Sequence, residues 1–234
     1  MKFYFDGNCF TYGGGLKRIG VVPEDVRWSR LVCDHFGAEE INLSSGGAPN
    51  DRIMRHLLDK PPEVYDFYFL QLGYSHRYEF YDTELKKWIK CSLSETGLRG
   101  RKKHDILSEK CVKRWGLEEG SKIAEWIYFG FERIYNDHYA KSQENIIYNA
   151  LKSYVASIGR EKKSFFSTKL PPQSTDNKYD LHLTYTWDTS IKCPKASTIE
   201  FDRIPNDGHP SVEGHKTIAK YVIDIVSERL SCTQ

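Results

Sequence analysis

The alternation of hydrophobic and polar positions changes period several times along the chain. Lys2-Phe3-Tyr4-Phe5 is a short aromatic run cut off by the turn formers Asp6-Gly7-Asn8, and it predicts an opening strand. Beyond the glycine-rich Thr11-Tyr12-Gly13-Gly14-Gly15, Pro23-Glu24 opens a helical pattern. It carries Val26, Leu31, Val32 and Phe36 on one face and stops at Gly37. Ile41-Asn42-Leu43 predicts a second strand and Ser44 to Gly47 a second loop. Pro49 is then the expected first residue of a second helix, with Ile53, Leu57 and Leu58 on its apolar face. Asp66 to Leu72 is a continuous apolar run ended by Gly73, the pattern of a strand buried on both faces. Three strands alternating with two helices predict a parallel sheet.

The middle of the chain has a weaker pattern. Residues 77 to 107 mix charged and aromatic side chains and are expected to form an insertion, reaching to about residue 117, that covers or flanks a site. From Glu118 to Ile158 apolar residues such as Ile123, Trp126, Ile127, Phe131, Ile134, Ile147, Leu151 and Val155 recur at helical spacing. They predict one long or broken helix with Gly159 as its stop. Ser164-Phe165-Phe166-Ser167 predicts a fourth strand, and Pro171 to Lys195 is expected to be loop-rich. Val212 to Leu230 predicts a last helix packed on the sheet through Ile218, Ala219, Val222, Ile223, Val226 and Leu230. With no internal repeat and no low-complexity linker, residues 1–234 read as a single α/β domain.

Composition narrows the function classes. Thirty-four Lys and Arg against 32 Asp and Glu leave a net charge of +2, so no bulk electrostatic footprint points to nucleic acid. The basic run Arg99-Gly100-Arg101-Lys102-Lys103-His104 reads as a solvated loop. A mean hydropathy of −0.59 is polar for a globular protein, but 14% aromatic residues supply large buried areas per side chain. The longest apolar stretches, such as Phe67 to Leu70, fall far short of the roughly 20 residues a membrane-spanning helix needs. The first residues carry no secretory pattern, and six cysteines are scattered without a C-x-x-C pair. A cytoplasmic location with reduced thiols, and neither metal nor organic cofactor, is therefore expected. Oligomeric state is not legible.

In an open parallel sheet, ligands bind outside the carboxyl ends of the strands, so the segments that follow the first three strands should face one crevice. These are Gly7 to Gly13, Asn42 to Asn50 and Gly73-Tyr74-Ser75-His76-Arg77, and Asn206 to Ser211 precedes the last helix. An imidazole acting as a general base needs an acceptor at its other ring nitrogen, and Asp207-Gly208-His209 supplies carboxylate and imidazole from one short loop. Cys9, in the loop after the first strand, is then the candidate nucleophile. Asn8, Asn50, His76 and Arg77, all in these loops, are the expected substrate contacts. Arg77 and Glu79 have the plainer alternative of an ion pair with each other, and His215 reads as structural.

These blocks resemble the SGNH/GDSL hydrolases. Gly7-Asn8-Cys9 followed by Phe10-Thr11-Tyr12-Gly13 and Leu16 looks like that family's first block, with cysteine where the nucleophilic serine stands and asparagine where aspartate is usual. Asn42-Leu43 through Gly47, with Asn50, Arg52 and Ile53, is similar to a branch found in phages, large viruses and bacteria. Asp207, His209 and Pro210 match the last block, and Gly214-His215 continue it.

The resemblance implies a three-layer α/β/α sandwich with a mainly parallel, flavodoxin-like sheet, and hydrolysis of carboxylic esters, carbohydrate O-acetyl esters among them. Residue 9 would attack the ester carbonyl, His209 would take and return the proton, and Asp207 would orient the imidazole. The backbone N–H groups of residue 9 and Gly47 would stabilise the oxyanion. The asparagine donor of the third block is absent here, and its place falls to Ser75, His76 or Arg77, with Arg77 and Glu79 echoing a variant of that block. The implied partner is a small-molecule or glycan ester. Because serine is replaced, the second reading is a catalytically impaired, hydrolase-like scaffold that binds a glycan or a protein, for example within a virion.

Overall fold

The computed structural model describes residues 1–59, 65–73, 77–92, 109–130, 133, 137–160, 164–169, 180–185, 197–205 and 207–231. In chain order the elements are β1 (Lys2–Asp6), α1 (Cys9–Tyr12), a 3-10 turn (Leu16–Ile19), α2 (Pro23–Val26), α3 (Trp28–Phe36), β2 (Glu39–Asn42), α4 (Asn50–Asp59) and β3 (Phe67–Leu72). Then come β4 (Arg77–Asp82), β5 (Lys87–Ser92), α5 (109–115), α6 (Leu117–Phe129), α7 (Asp137–Ser157), β6 (Ser164–Lys169), β7 (Asp180–Tyr185), β8 (Ser197–Glu200) and α8 (Val212–Ser231).

The central sheet has the order β2-β1-β3-β6-β7-β8. β2, β1, β3 and β6 pair in parallel, and β7 runs antiparallel to both of its neighbours. Strand alternation sends Phe3, Phe5, Phe67, Phe69 and Phe165 to one face, where they pack under α3 and α8. Tyr4, Tyr68, Leu70, Leu72 and Phe166 go to the other face, under α4 and α7. The register pairs Phe5 with Phe69 and Phe69 with Phe165. Their rings stack at centroid distances of 4.7 and 5.0 Å and tie three strands into one aromatic ladder. The result is an α/β/α sandwich with a mainly parallel sheet, as expected, and aromatic residues from its strands build both of its cores.

Three expectations need correction. The pattern that starts at Pro23 is two helices, because Arg27 takes an extended conformation between α2 and α3. Pro49 lies just before α4, which begins at Asn50, and Leu58 is 61% exposed on the outer side of that helix. The segment 171–195, expected to be loop-rich, contains β7, and β8 follows at once, so the sheet gains two strands that the apolar pattern did not signal. The 118–158 pattern resolves into α6 and α7, and Trp126 is 57% exposed. Phe131 and Ile134 lie outside the described residues.

Within the span expected as an insertion, the described residues form a two-stranded antiparallel sheet, β4–β5, with its own apolar cluster, and residues 93–108 lie outside the described residues. Tyr78, Ile89 and Cys91 pack there against Cys111, Ala124 and Ile127 of α5 and α6. Among the described residues no helix is long and apolar enough to cross a membrane.

Candidate active site

β1 ends in the buried Asp6, and the chain turns at once into α1, whose first residue is Cys9. The turn is fixed from several sides. Asn8 is 3% exposed and caps α1, its Oδ1 accepting the Phe10 N–H at 3.0 Å while its Nδ2 donates to the Leu72 carbonyl at 3.4 Å. Gln71, at the carboxyl end of β3, accepts both the backbone N–H of Thr11 at 3.0 Å and its hydroxyl at 2.7 Å. Asn42 donates to the Thr11 carbonyl at 3.3 Å and to Ser29 Oγ at 2.9 Å. The helix that carries the thiol is thus bonded to β2 and β3, and through Asn42 it is linked to α3.

The Asp207–His209 loop is closed by backbone bonds from Ile204 N–H to the His209 carbonyl and from Ser211 N–H to the Asp202 carbonyl, at 2.9 and 3.0 Å. Ser211 also caps α8 through the Gly214 N–H at 3.1 Å. Between Asp207 and His209, Gly208 adopts φ +74°, a left-handed conformation that glycine reaches without strain. His209 Nδ1 lies 2.5 Å from Asp207 Oδ1, which leaves the far side of the ring for Cys9. Arg18 donates to the other oxygen, Oδ2, at 3.2 Å from an exposed position.

A hydrogen bond with Cys9 is the largest influence on His209 and raises its pKa. Asp207 acts in the same direction and burial opposes both. Gly14 closes the space over this pair: a methyl on its α-carbon would meet Cys9 Cβ at 2.9 Å and His209 Cδ2 at 3.0 Å. His215, one turn into α8, is fully buried and accepts the Trp28 N–H on Nδ1 at 3.3 Å. Burial, with a smaller contribution from the charge on His209, pushes its pKa down to about 4 and keeps it neutral.

The β2–α4 loop brings Gly47 (φ +67°) to its tip with open space around it. Two devices hold the loop. Arg52 donates to the Leu43 carbonyl at 2.7 Å and to the buried Asp6 at 3.3 Å, and Asp6 also meets His56 Nδ1 at 2.7 Å. From the hairpin, Lys90 donates to Ser45 Oγ at 2.5 Å and to the Gly46 carbonyl at 3.1 Å, and burial lowers its pKa. Gly73 is gripped by Asn50, whose Oδ1 takes its N–H at 2.6 Å. A methyl on Gly73 would lie 3.0 Å from Asn8 Nδ2 and 3.3 Å from Arg77 Nη1.

Of the residues singled out in the sequence, Cys9, Asp207 and His209 form one hydrogen-bonded group. Asn8, Asn50 and Arg77 gather around Gly73 beside it, with Asn8 and Asn50 committed to bonds within the fold. Glu79 is held by Arg55 Nε and Nη2, at 2.6 and 3.1 Å. Ser75 and His76 lie outside the described residues. Sequence reasoning missed Gln71, Asp6, Arg18 and Lys90 as parts of the site. The signal for Gln71 was present, one amide inside an otherwise apolar strand. Among the described residues no group of three acidic, histidine or cysteine side chains could hold a metal ion.

No protein-family model and no curated protein matches the chain. Among solved structures it is similar to an acetyl xylan esterase from the rumen bacterium Butyrivibrio proteoclasticus, at 16% identity and a TM-score of 0.41. That alignment covers 98% of this chain, which spans 64% of the length of that protein.

Proposed function

We propose that this protein is an SGNH-type hydrolase of carboxylic esters that works through an acyl-enzyme on Cys9. The observation that carries the reading is the hydrogen-bonded series Asp207–His209–Cys9 at the carboxyl edge of a parallel sheet. His209 takes the thiol proton as Sγ attacks the ester carbonyl carbon, and Asp207 stabilises the imidazolium that results. Collapse of the tetrahedral adduct breaks the C–O bond, and His209 returns the proton to the departing alkoxide. Water then attacks the thioester, giving up its proton to His209, and scission of the C–S bond releases the acid and restores the thiol. The N–H groups of Cys9 and Gly47 are the proposed oxyanion donors, each of the kind whose removal costs about 100-fold or more in rate. No metal or organic cofactor enters these steps.

Intact-mass spectrometry after incubation with p-nitrophenyl acetate tests this. The expected result is a single acetyl adduct on Cys9 that is absent from Cys9→Ala and forms far more slowly in His209→Ala. No adduct on Cys9, together with no turnover by Cys9→Ser, would overturn the reading in favour of a binding scaffold.

A further inference from the structure

The tip of the β2–α4 loop is a β-turn, Ser45 to Ala48, closed by the Ala48 N–H on the Ser45 carbonyl at 3.1 Å. Its base is tied to the turn before Cys9, since the Ser45 N–H donates to the Gly7 carbonyl at 3.1 Å. Of the two central residues, Gly47 has φ +67° and Gly46 has no positive φ, which is the combination of a type II turn. A type I turn between the same ends differs by rotating the central peptide, Gly46–Gly47, through about half a revolution. That peptide carries the Gly46 carbonyl and the Gly47 N–H. Being trans, it points them in opposite directions, so whatever fixes the carbonyl aims the N–H.

Packing does not choose between the two turns. With glycine at both central positions no Cβ opposes the rotation, and a methyl placed on either would meet nothing within 4 Å. The carbonyl is instead held by Lys90 of β5, whose Nζ donates to it at 3.1 Å and to Ser45 Oγ at 2.5 Å. Among the described residues no other donor bonds that carbonyl. Lys90 lies opposite Glu79 in the hairpin register, but Glu79 is taken by Arg55, and the ammonium reaches across to the loop. Burial and the charges of Arg52 and Arg77 act against an ammonium in this place, with Glu79 opposing them. A cation kept against such a field is a mark of functional sites.

We propose that Lys90 is the positioning residue for the oxyanion donor: from the β4–β5 hairpin it holds the Gly46–Gly47 peptide in the type II orientation and so aims the Gly47 N–H. The inference rests on the reading of Gly47 as an oxyanion donor. The positive charge on the carbonyl also polarises the peptide and makes its N–H the stronger donor. The hairpin is then a working part of the site and not only its cover.

Two readouts on the full chain, unaltered and with Lys90→Met or Lys90→Arg, test this. The Gly46 Hα and Gly47 HN protons are close in a type II turn and well separated in a type I turn. The expected nuclear Overhauser effect between them is strong in the unaltered chain and in Lys90→Arg, and weak in Lys90→Met. The second readout compares two reactions of Cys9 by peptide mass spectrometry. Acetylation by p-nitrophenyl acetate passes through an oxyanion, whereas alkylation by iodoacetamide displaces iodide directly and forms none. Lys90→Met should acetylate at least about tenfold more slowly, towards the roughly 100-fold that loss of one donor costs, and should alkylate at the unaltered rate. Lys90→Arg should recover most of the acetylation. An equally strong Overhauser effect in Lys90→Met, or undiminished acetylation, would overturn the inference and leave the acyl-enzyme reading in place. A parallel fall in both reactions would overturn it too, because Lys90 would then support the fold at large. No acetylation of the unaltered chain, with the Overhauser change present, would remove the acyl-enzyme reading and keep Lys90 as the residue that sets the turn.

Discussion

Replacing Gln71 with Leu is the sharpest test of how the proposed nucleophile, Cys9, is held. The side chain is 2% exposed, and its Oε1 accepts two bonds from Thr11, itself fully buried two residues after Cys9. Leucine has similar bulk and no acceptor. The buried Thr11 N–H then has nothing to donate to, a cost of roughly 1–3 kcal/mol, and loss of the hydroxyl bond adds about 1 kcal/mol. A gain offsets part of this. Gln71 Nε2 has no acceptor among the described residues, and removing it returns about 1 kcal/mol. The net expectation is a loss of about 2 kcal/mol, or roughly 4–8 °C in thermal midpoint for a chain of this length.

Activity should fall further than stability, because α1 loses its bond to β3 and the thiol shifts relative to His209. Urea unfolding and the rate of Cys9 acetylation by p-nitrophenyl acetate are the two readouts. Thr11→Val in the Gln71→Leu background should cost less than Thr11→Val alone, since the hydroxyl has already lost its acceptor. A stability change under about 0.5 kcal/mol, with acetylation at the rate of the unaltered chain, would refute the argument that Gln71 positions α1.

Gly14→Ala should abolish acetylation of Cys9, because the new methyl would sit 2.9 Å from Cys9 Cβ and 3.0 Å from His209 Cδ2; full activity would mean that this wall yields. His215 titrates near 6.5 in the unfolded chain and at about 4 when folded, so between these values the unfolded state binds the extra proton and stability falls as pH falls, by roughly 3 kcal/mol in all. Urea unfolding of His215→Asn across that window should lose this slope, while His209, whose pKa is raised, contributes stability at low pH that fades as pH rises. Asp51 is raised to about 6, so its cost is present above that pH and disappears below it. Asp51→Asn should therefore stabilise the protein at pH 7 by about 1–2 kcal/mol after solvent screening, and have no such effect near pH 4. Arg18→Ala removes a positive charge from beside the Asp207–His209 pair and should move the pH profile of acetylation upward, a small effect for an exposed pair.

Much of this architecture is legible in the residues. The aromatic run at 3–5 read as a strand and the apolar run at 66–72 as a strand buried on both faces, and the alternation with amphipathic helices pointed to parallel pairing. Such runs declare themselves because burial on both faces removes the polar half of a strand's alternation. Parallel strands then put the loops of Cys9, Gly47 and Asn50 at one edge, and an Asp-Gly-His before the last helix announced its own chemistry. The edge of the sheet was not legible. Among the described residues β7 is the one strand of the central sheet that runs against the others, and its sequence, Asp180-Leu181-His182-Leu183-Thr184-Tyr185, lies among turn formers that hide a six-residue strand from the sequence pattern.

The sequence by itself determined the order of elements, the parallel core and which residues were chemically able to act, because each of those follows from local period and residue type. The tertiary structure decided what those residues do. Asn8 became a helix cap, Glu79 the partner of Arg55, and Lys90 a clamp on the loop of Gly47. It also brought Gln71 to Thr11 and the hairpin to the β2–α4 loop across 60 and 45 positions of sequence. Hydrogen bonds and burial depend on which groups converge in space, and only the packing of the two aromatic cores against the helices fixes that convergence.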